Sequence, residues 1–183
     1  PDGFGNTFLS EIDVIDREGP ALQTVAGVGE QTIRDTIETP AGRIVIDTSE
    51  APDLTDWARK ELAPVVREWY PKLTALLGSE GFEAPKNVSI QFSATMKGVA
   101  ATGGSRIRGS AAWYRNNLKG EAVGSIVHEL VHVVQQYGQA RRTNRQATRN
   151  PGWLVEGLTD YTRWYIYEPE SRGAEIAPRN LEK

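Results

Sequence analysis

The sequence predicts an α+β fold in which a small twisted sheet packs beside two helices. Short β-branched segments separated by glycine-rich turns run from Arg43 to Tyr114, and helical periodicity takes over from residue 121. Strands first and helices after them is the order of an α+β domain. A chain of 183 residues with 39% hydrophobic content is long enough for one such core and too short for two generous ones.

Residues 1–40 read as an N-terminal arm or the tail of a preceding module, and residues 41–183 as the domain itself. Phe4 to Asp16 has strand character after a Gly/Asn turn and resembles the closing strand of a jelly-roll carbohydrate-binding or discoidin-like module. An arm packed on the following domain is the equal alternative. Asp13, Asp16 and Glu18 lack the loop spacing of an EF-hand and read as a solvated turn.

Arg43 to Asp47 alternates as a short strand. Ser49 or Asp53 is then placed to cap a helix running to Leu77, kinked by Pro64 and Pro71 because each removes a helix donor. Trp57, Leu62, Val65, Val66, Trp69, Leu73, Leu76 and Leu77 are its expected core residues. Asn87 to Ser93, Gly98 to Thr102 and Ile107 to Tyr114 read as strands. Within the last, Ser110 to Tyr114 is expected to be an edge that pairs with an extended ligand, since Ala111 and Ala112 would let a second backbone approach.

The next helix carries Val127-His128-Glu129-Leu130-Val131-His132, which holds both histidines of the chain. Positions i and i+4 lie about 40° apart on one helix face, so both imidazoles can reach one metal ion. Neutral imidazole nitrogen suits Zn²⁺, and Glu129 at this offset can take a proton from a metal-activated water. Val123, Ile126, Val127, Leu130, Val131, Val134 and Tyr137 form the apolar arc. Ser125, His128, Glu129, His132, Gln135 and Gln136 form the polar one. Gly138 to Asn150, with Arg141, Arg142, Arg145 and Arg149, reads as a polar loop, most simply a solvated one.

Pro151-Gly152 then starts a second helix and Pro169 stops it. Glu156 and Asp160 share one face. A catalytic zinc needs three protein ligands and an open position, and His₂Glu is one known set, so Glu156 is the expected third ligand to a single Zn²⁺. Asp160 is placed to accept the outer N–H of a ligating histidine, although an Asp ligand in place of Glu156 stays open at this stage.

An HExxH helix followed by E-G-x-x-D resembles the gluzincin branch of zinc peptidases. More closely, residues 128–135 and 153–163 are similar to the basic secretory protein family, peptidases of plants and bacteria, with the likeness spanning roughly residues 40 to 170. The resemblance implies a secreted zincin-like peptidase with His128, His132 and Glu156 as ligands and Glu129 as general base. Two features depart from it. The pI near 5.5 is acidic, and family members continue into a further helical segment, so part of the cleft is expected beyond Lys183. Metzincins need a third histidine where Gly138 stands, and deformylases need a cysteine that the chain lacks.

For the oxyanion, Tyr161 and Tyr114 are the expected catalytic donors, with Tyr165 and Arg163 as further candidates. A net charge of −3 gives no reason to expect nucleic acid, and no run of eighteen apolar residues exists to span a membrane. The chain opens at Pro1 with Met96 as its single methionine, so it is expected to be a processed product or an excised piece; a secreted protein is what the resemblance implies, and a monomer acting on peptide or protein substrates is expected with it. A non-proteolytic, zinc-stabilised extracellular binding domain is the alternative reading.

Overall fold

A computed structural model of the chain describes residues 33–78, 82–135 and 150–171. The expected strand at Phe4 to Asp16, Tyr137 and the arginine-bearing loop lie outside the described residues.

Five strands form one mixed sheet: β1 (Arg34–Thr39), β2 (Gly42–Asp47), β3 (Asn87–Ser93), β4 (Ala100–Gly103) and β5 (Arg106–Ser110), in the order β1-β2-β3-β5-β4. The outer pairs β1/β2 and β4/β5 are antiparallel, and β2/β3 and β3/β5 are parallel. Strand β1 lies before residue 40 and pairs along its whole length with β2. Their tight turn depends on Gly42, whose φ of +146° and contact with the Lys86 backbone leave no room for a Cβ.

Alternation places Ile44, Ile46, Val88, Ile90, Phe92 and Ile107 on one buried face, and register aligns them, with Ile46 opposite Ile90 and Ile90 opposite Ile107. Each fully buried Ile or Phe contributes about 1.5–3 kcal/mol.

The crossover from β2 to β3 is helical from Pro52 to Leu76. It comprises a 3₁₀ turn (Pro52–Leu54), α1 (Thr55–Trp57), a π segment (Ala58–Leu62) and α2 (Ala63–Leu76). The expected disturbance at Pro64 takes the form of the π segment just before it. The proline ring crowds the carbonyl four residues back, and a wider turn relieves that clash. Pro71 sits inside continuous helix. Neither Ser49 nor Asp53 caps the run. Ser49 Oγ accepts from Ile33 N, and both Asp53 oxygens are held by Arg115 at 2.7 Å. Trp57, Leu62, Val66 and Leu73 are buried as expected, whereas Leu76 is exposed.

The expected strand from Ile107 to Tyr114 is corrected. It ends at Ser110, and Ala111–Asn117 forms α3. Ser110 is extended and its Oγ accepts from Trp113 N, an N-cap that diverts the chain into a helix which two alanines then favour. The turn tucks Tyr114 into a cluster with Trp57 and Phe92, ring centroids 5.9 and 4.8 Å away. Gly109 makes the space, because a Cβ there would lie 2.6 Å from the Tyr114 ring.

Helix α4 (Ala122–Gln135) packs against β4, β5 and α2, and α5 (Gly152–Tyr161) with the π segment Thr162–Tyr167 covers its other side. The expected polar arc of α4 is therefore mostly enclosed. Ser125 and Glu129 are buried, and His128 and His132 are half-buried.

Candidate metal centre

The centre is built where α5 crosses α4. One turn of α4 separates His128 from His132, and their ring centroids are 5.0 Å apart. On α5, Val155, Thr159 and the following Thr162 are buried, which turns Glu156 toward the histidines. Arg163 locks the crossing from the far end. Its side chain is 8% exposed, pairs with Glu168 at 2.6 Å and Glu121 at 3.3 Å, and stacks on Trp164. Gly124 of α4 leaves space for that pair, since a Cβ would lie 2.7 Å from Arg163 Nε. Pro151 opens α5 with its carbonyl accepting from Leu154 and Val155, and Glu168 leaves helical geometry before Pro169.

Glu156 Oε2 lies 3.3 Å from His128 Nε2 and 3.4 Å from His132 Nε2. One donor atom from each of the three residues falls within 4.8 Å of the others, an arrangement able to hold a metal ion. Two imidazole nitrogens and one carboxylate oxygen fit a divalent cation of the zinc type. The alternative of Asp160 as third ligand is not the arrangement seen. Asp160 Oδ1 instead sits 3.1 Å from His128 Nδ1, on the ring nitrogen that does not face Glu156.

The electrostatics report the same focus of negative charge. Burial pushes the His128 pKa down, but hydrogen bonds to Asp160 and Glu156 outweigh it and raise the pKa to about 9. Hydrogen bonds from His128 and then His132 lower Glu156 to about 2. A proton on His128 thus takes the place of the positive charge that a cation would bring.

Glu129 follows His128 on the helix and is 8% exposed. Its Oε2 accepts a 2.6 Å hydrogen bond from Thr102 Oγ1 on β4. Sequence reading placed Thr102 in a strand and gave it no function. A threonine in a short strand carries no mark of what it faces 27 residues later.

The other expected site residues separate. Tyr114 is fully buried in the core, its hydroxyl is 2.7 Å from Ser125 Oγ, and burial, with the Glu129 charge adding to it, raises its pKa strongly. Arg163 is committed to its carboxylates. Tyr161 and Tyr165 are exposed and stacked on one another with centroids 5.3 Å apart. The sheet edge nearest α4 is β4, not Ser110 to Tyr114, because the latter enters α3.

A family model described as BSP, peptidase of plants and bacteria, matches residues 29–170. No curated protein and no solved structure matches the chain. No helix among the described residues is long and apolar enough to cross a membrane.

Proposed function

This chain belongs to the BSP family of plant and bacterial peptidases, and from that premise we propose that it is a zinc-dependent peptidase with a zincin-like site. The observation that supports this best is the convergence of His128 Nε2, His132 Nε2 and Glu156 Oε2, with a carboxylate one residue after the first ligand. His128, His132 and Glu156 would hold one zinc ion, which would supply Lewis-acid activation of a water and of the scissile carbonyl.

Every other step belongs to the chain. Glu129 takes the proton from the attacking water and returns it to the leaving amine nitrogen as the C–N bond breaks. Asp160 holds the His128 ring by its Nδ1–H. Tyr161, exposed beside Asp160, offers its hydroxyl to the developing oxyanion, with the equally exposed Tyr165 as the second candidate. The chain acts outside the cell, as a monomer, on peptides or proteins.

Zinc-loaded protein incubated with a diverse peptide mixture, beside Glu129→Ala, tests the reading by mass spectrometry. Cleavage by the parent and none by the variant, with equal zinc in both, is expected. An active Glu129→Ala would remove Glu129 from its role. A zinc-bearing parent that cleaves nothing would leave the non-proteolytic binding domain.

A further inference from the structure

We infer that Thr102 is a positioning residue for Glu129, fixing one carboxylate oxygen so that the other receives the proton. The inference rests on Glu129 as the proton acceptor and adds a residue to the machinery from the sheet.

Thr102 Oγ1 lies 2.6 Å from Glu129 Oε2 and 3.3 Å from the Glu129 main-chain oxygen. The shorter contact has the length of a charge-assisted O–H···O⁻ bond. Among the described residues it is the hydrogen bond that the Glu129 side chain receives. A glutamate has three side-chain torsions, and a general base must reach its proton within about 2.6–3.2 Å. An unheld carboxylate would sample several rotamers. Here Oε2 accepts from Thr102, which leaves Oε1 as the oxygen for proton transfer.

The donor is itself rigid. Thr102 is paired with Ile107 of β5 in the ladder, and β5 is in turn paired with β3. A β-branched side chain has few χ1 choices. Both acceptors lie on Glu129, so the one hydroxyl also registers strand β4 against the turn of α4 that carries the base. Threonine supplies a donor without charge, leaving the carboxylate's own charge intact for proton transfer. A lysine or arginine at this place would compete for it.

The test compares Thr102→Val, which keeps the shape and loses the donor, with Thr102→Ser, which keeps the donor, each zinc-loaded and assayed on one cleaved peptide. Thr102→Val is expected to lower kcat about 10–100-fold, the scale of an ångström-level misplacement, with KM within about two-fold and zinc content unchanged. Thr102→Ser is expected to recover kcat to within about three-fold of the parent, and Thr102→Val should cost nothing further in a Glu129→Gln background, as residues acting in one unit do. Wild-type kcat in Thr102→Val, equal losses in Val and Ser, or a full additional loss in the Glu129→Gln background overturns the inference. Should Thr102→Val not fold, Thr102→Ala is the donor-less variant that decides.

Crystal structures of the parent and the donor-less variant separate this inference from the peptidase reading. If the parent cleaves nothing, the peptidase reading fails by itself. A Glu129 carboxylate that swings when the hydroxyl is removed then upholds the positioning role, and one that stays overturns it.

Discussion

Removing the Asp160 carboxylate should loosen the metal without removing a ligand. Asp160 Oδ1 accepts from His128 Nδ1 at 3.1 Å, and the Asp160 side chain is 56% exposed. A hydrogen bond to a charged group contributes about 1.5–3 kcal/mol. Water competes at an exposed carboxylate, so the lower end applies, about 1.5–2 kcal/mol, or roughly 10–30-fold in Kd. Asp160→Ala should therefore weaken zinc binding by about that factor, consistent with the general loss of about 10–100-fold for partners behind a ligand. Asp160→Asn should fall between parent and Ala, because the amide oxygen accepts the same N–H without the charge. Glu156→Ala should exceed both, since it removes a donor atom. Competition against a chromophoric zinc chelator at pH 7 measures all three. Zinc affinity of Asp160→Ala within two-fold of the parent would refute the reasoning and make Asp160 a surface carboxylate.

Three further outcomes are expected. In the metal-free protein, His128 is raised from 6.5 to about 9 and Glu156 is lowered from 4.5 to about 2. The His128 contribution is complete below pH 6.5 and is lost as pH rises through about 9. The Glu156 contribution is complete above pH 4.5 and is lost as pH falls toward about 2. Melting with a chelator present should thus peak between those limits, whereas zinc, competing with the His128 proton, should stabilise more as pH rises; a chelated protein whose Tm climbs from pH 6.5 to 9 contradicts this. Tyr114→Phe should lose about 0.5–1.5 kcal/mol of stability in urea with its Ser125 hydrogen bond, and peptide cleavage should stay at the parental rate; a hundred-fold loss of cleavage would return Tyr114 to the chemistry. Gly124→Ala should destabilise by about 1–3 kcal/mol through overpacking against the buried Arg163 and Glu168 pair, and an unchanged urea midpoint would show that this pair yields freely.

Much of the site was legible because helical periodicity converts spacing directly into geometry. His128 and His132 face one point wherever their helix lies, and Glu156 and Asp160 share a face for the same reason. Strand segments 43–47 and 87–93 were legible through alternation. The segment after Ser110 was not. Ala-Ala-Trp-Tyr fits a strand or a helix, and the space that Gly109 leaves for Tyr114 against Phe92 and Trp57 selected the helix. Arg34 to Thr39 alternates weakly and was fixed as a strand by its pairing with β2.

What the sequence by itself determined is local: that the helices bearing His128 and Glu156 form, which side chains each presents together, and hence the candidate donors for a metal. The tertiary structure alone decided which helix face meets which. Burial of Val155, Thr159 and Thr162 brought Glu156 to the two Nε2 nitrogens and Asp160 to His128 Nδ1, and the sheet order placed Thr102 of β4 against Glu129. A periodicity gives angles about one helix axis, while the distance between two axes depends on packing that no short window of sequence contains.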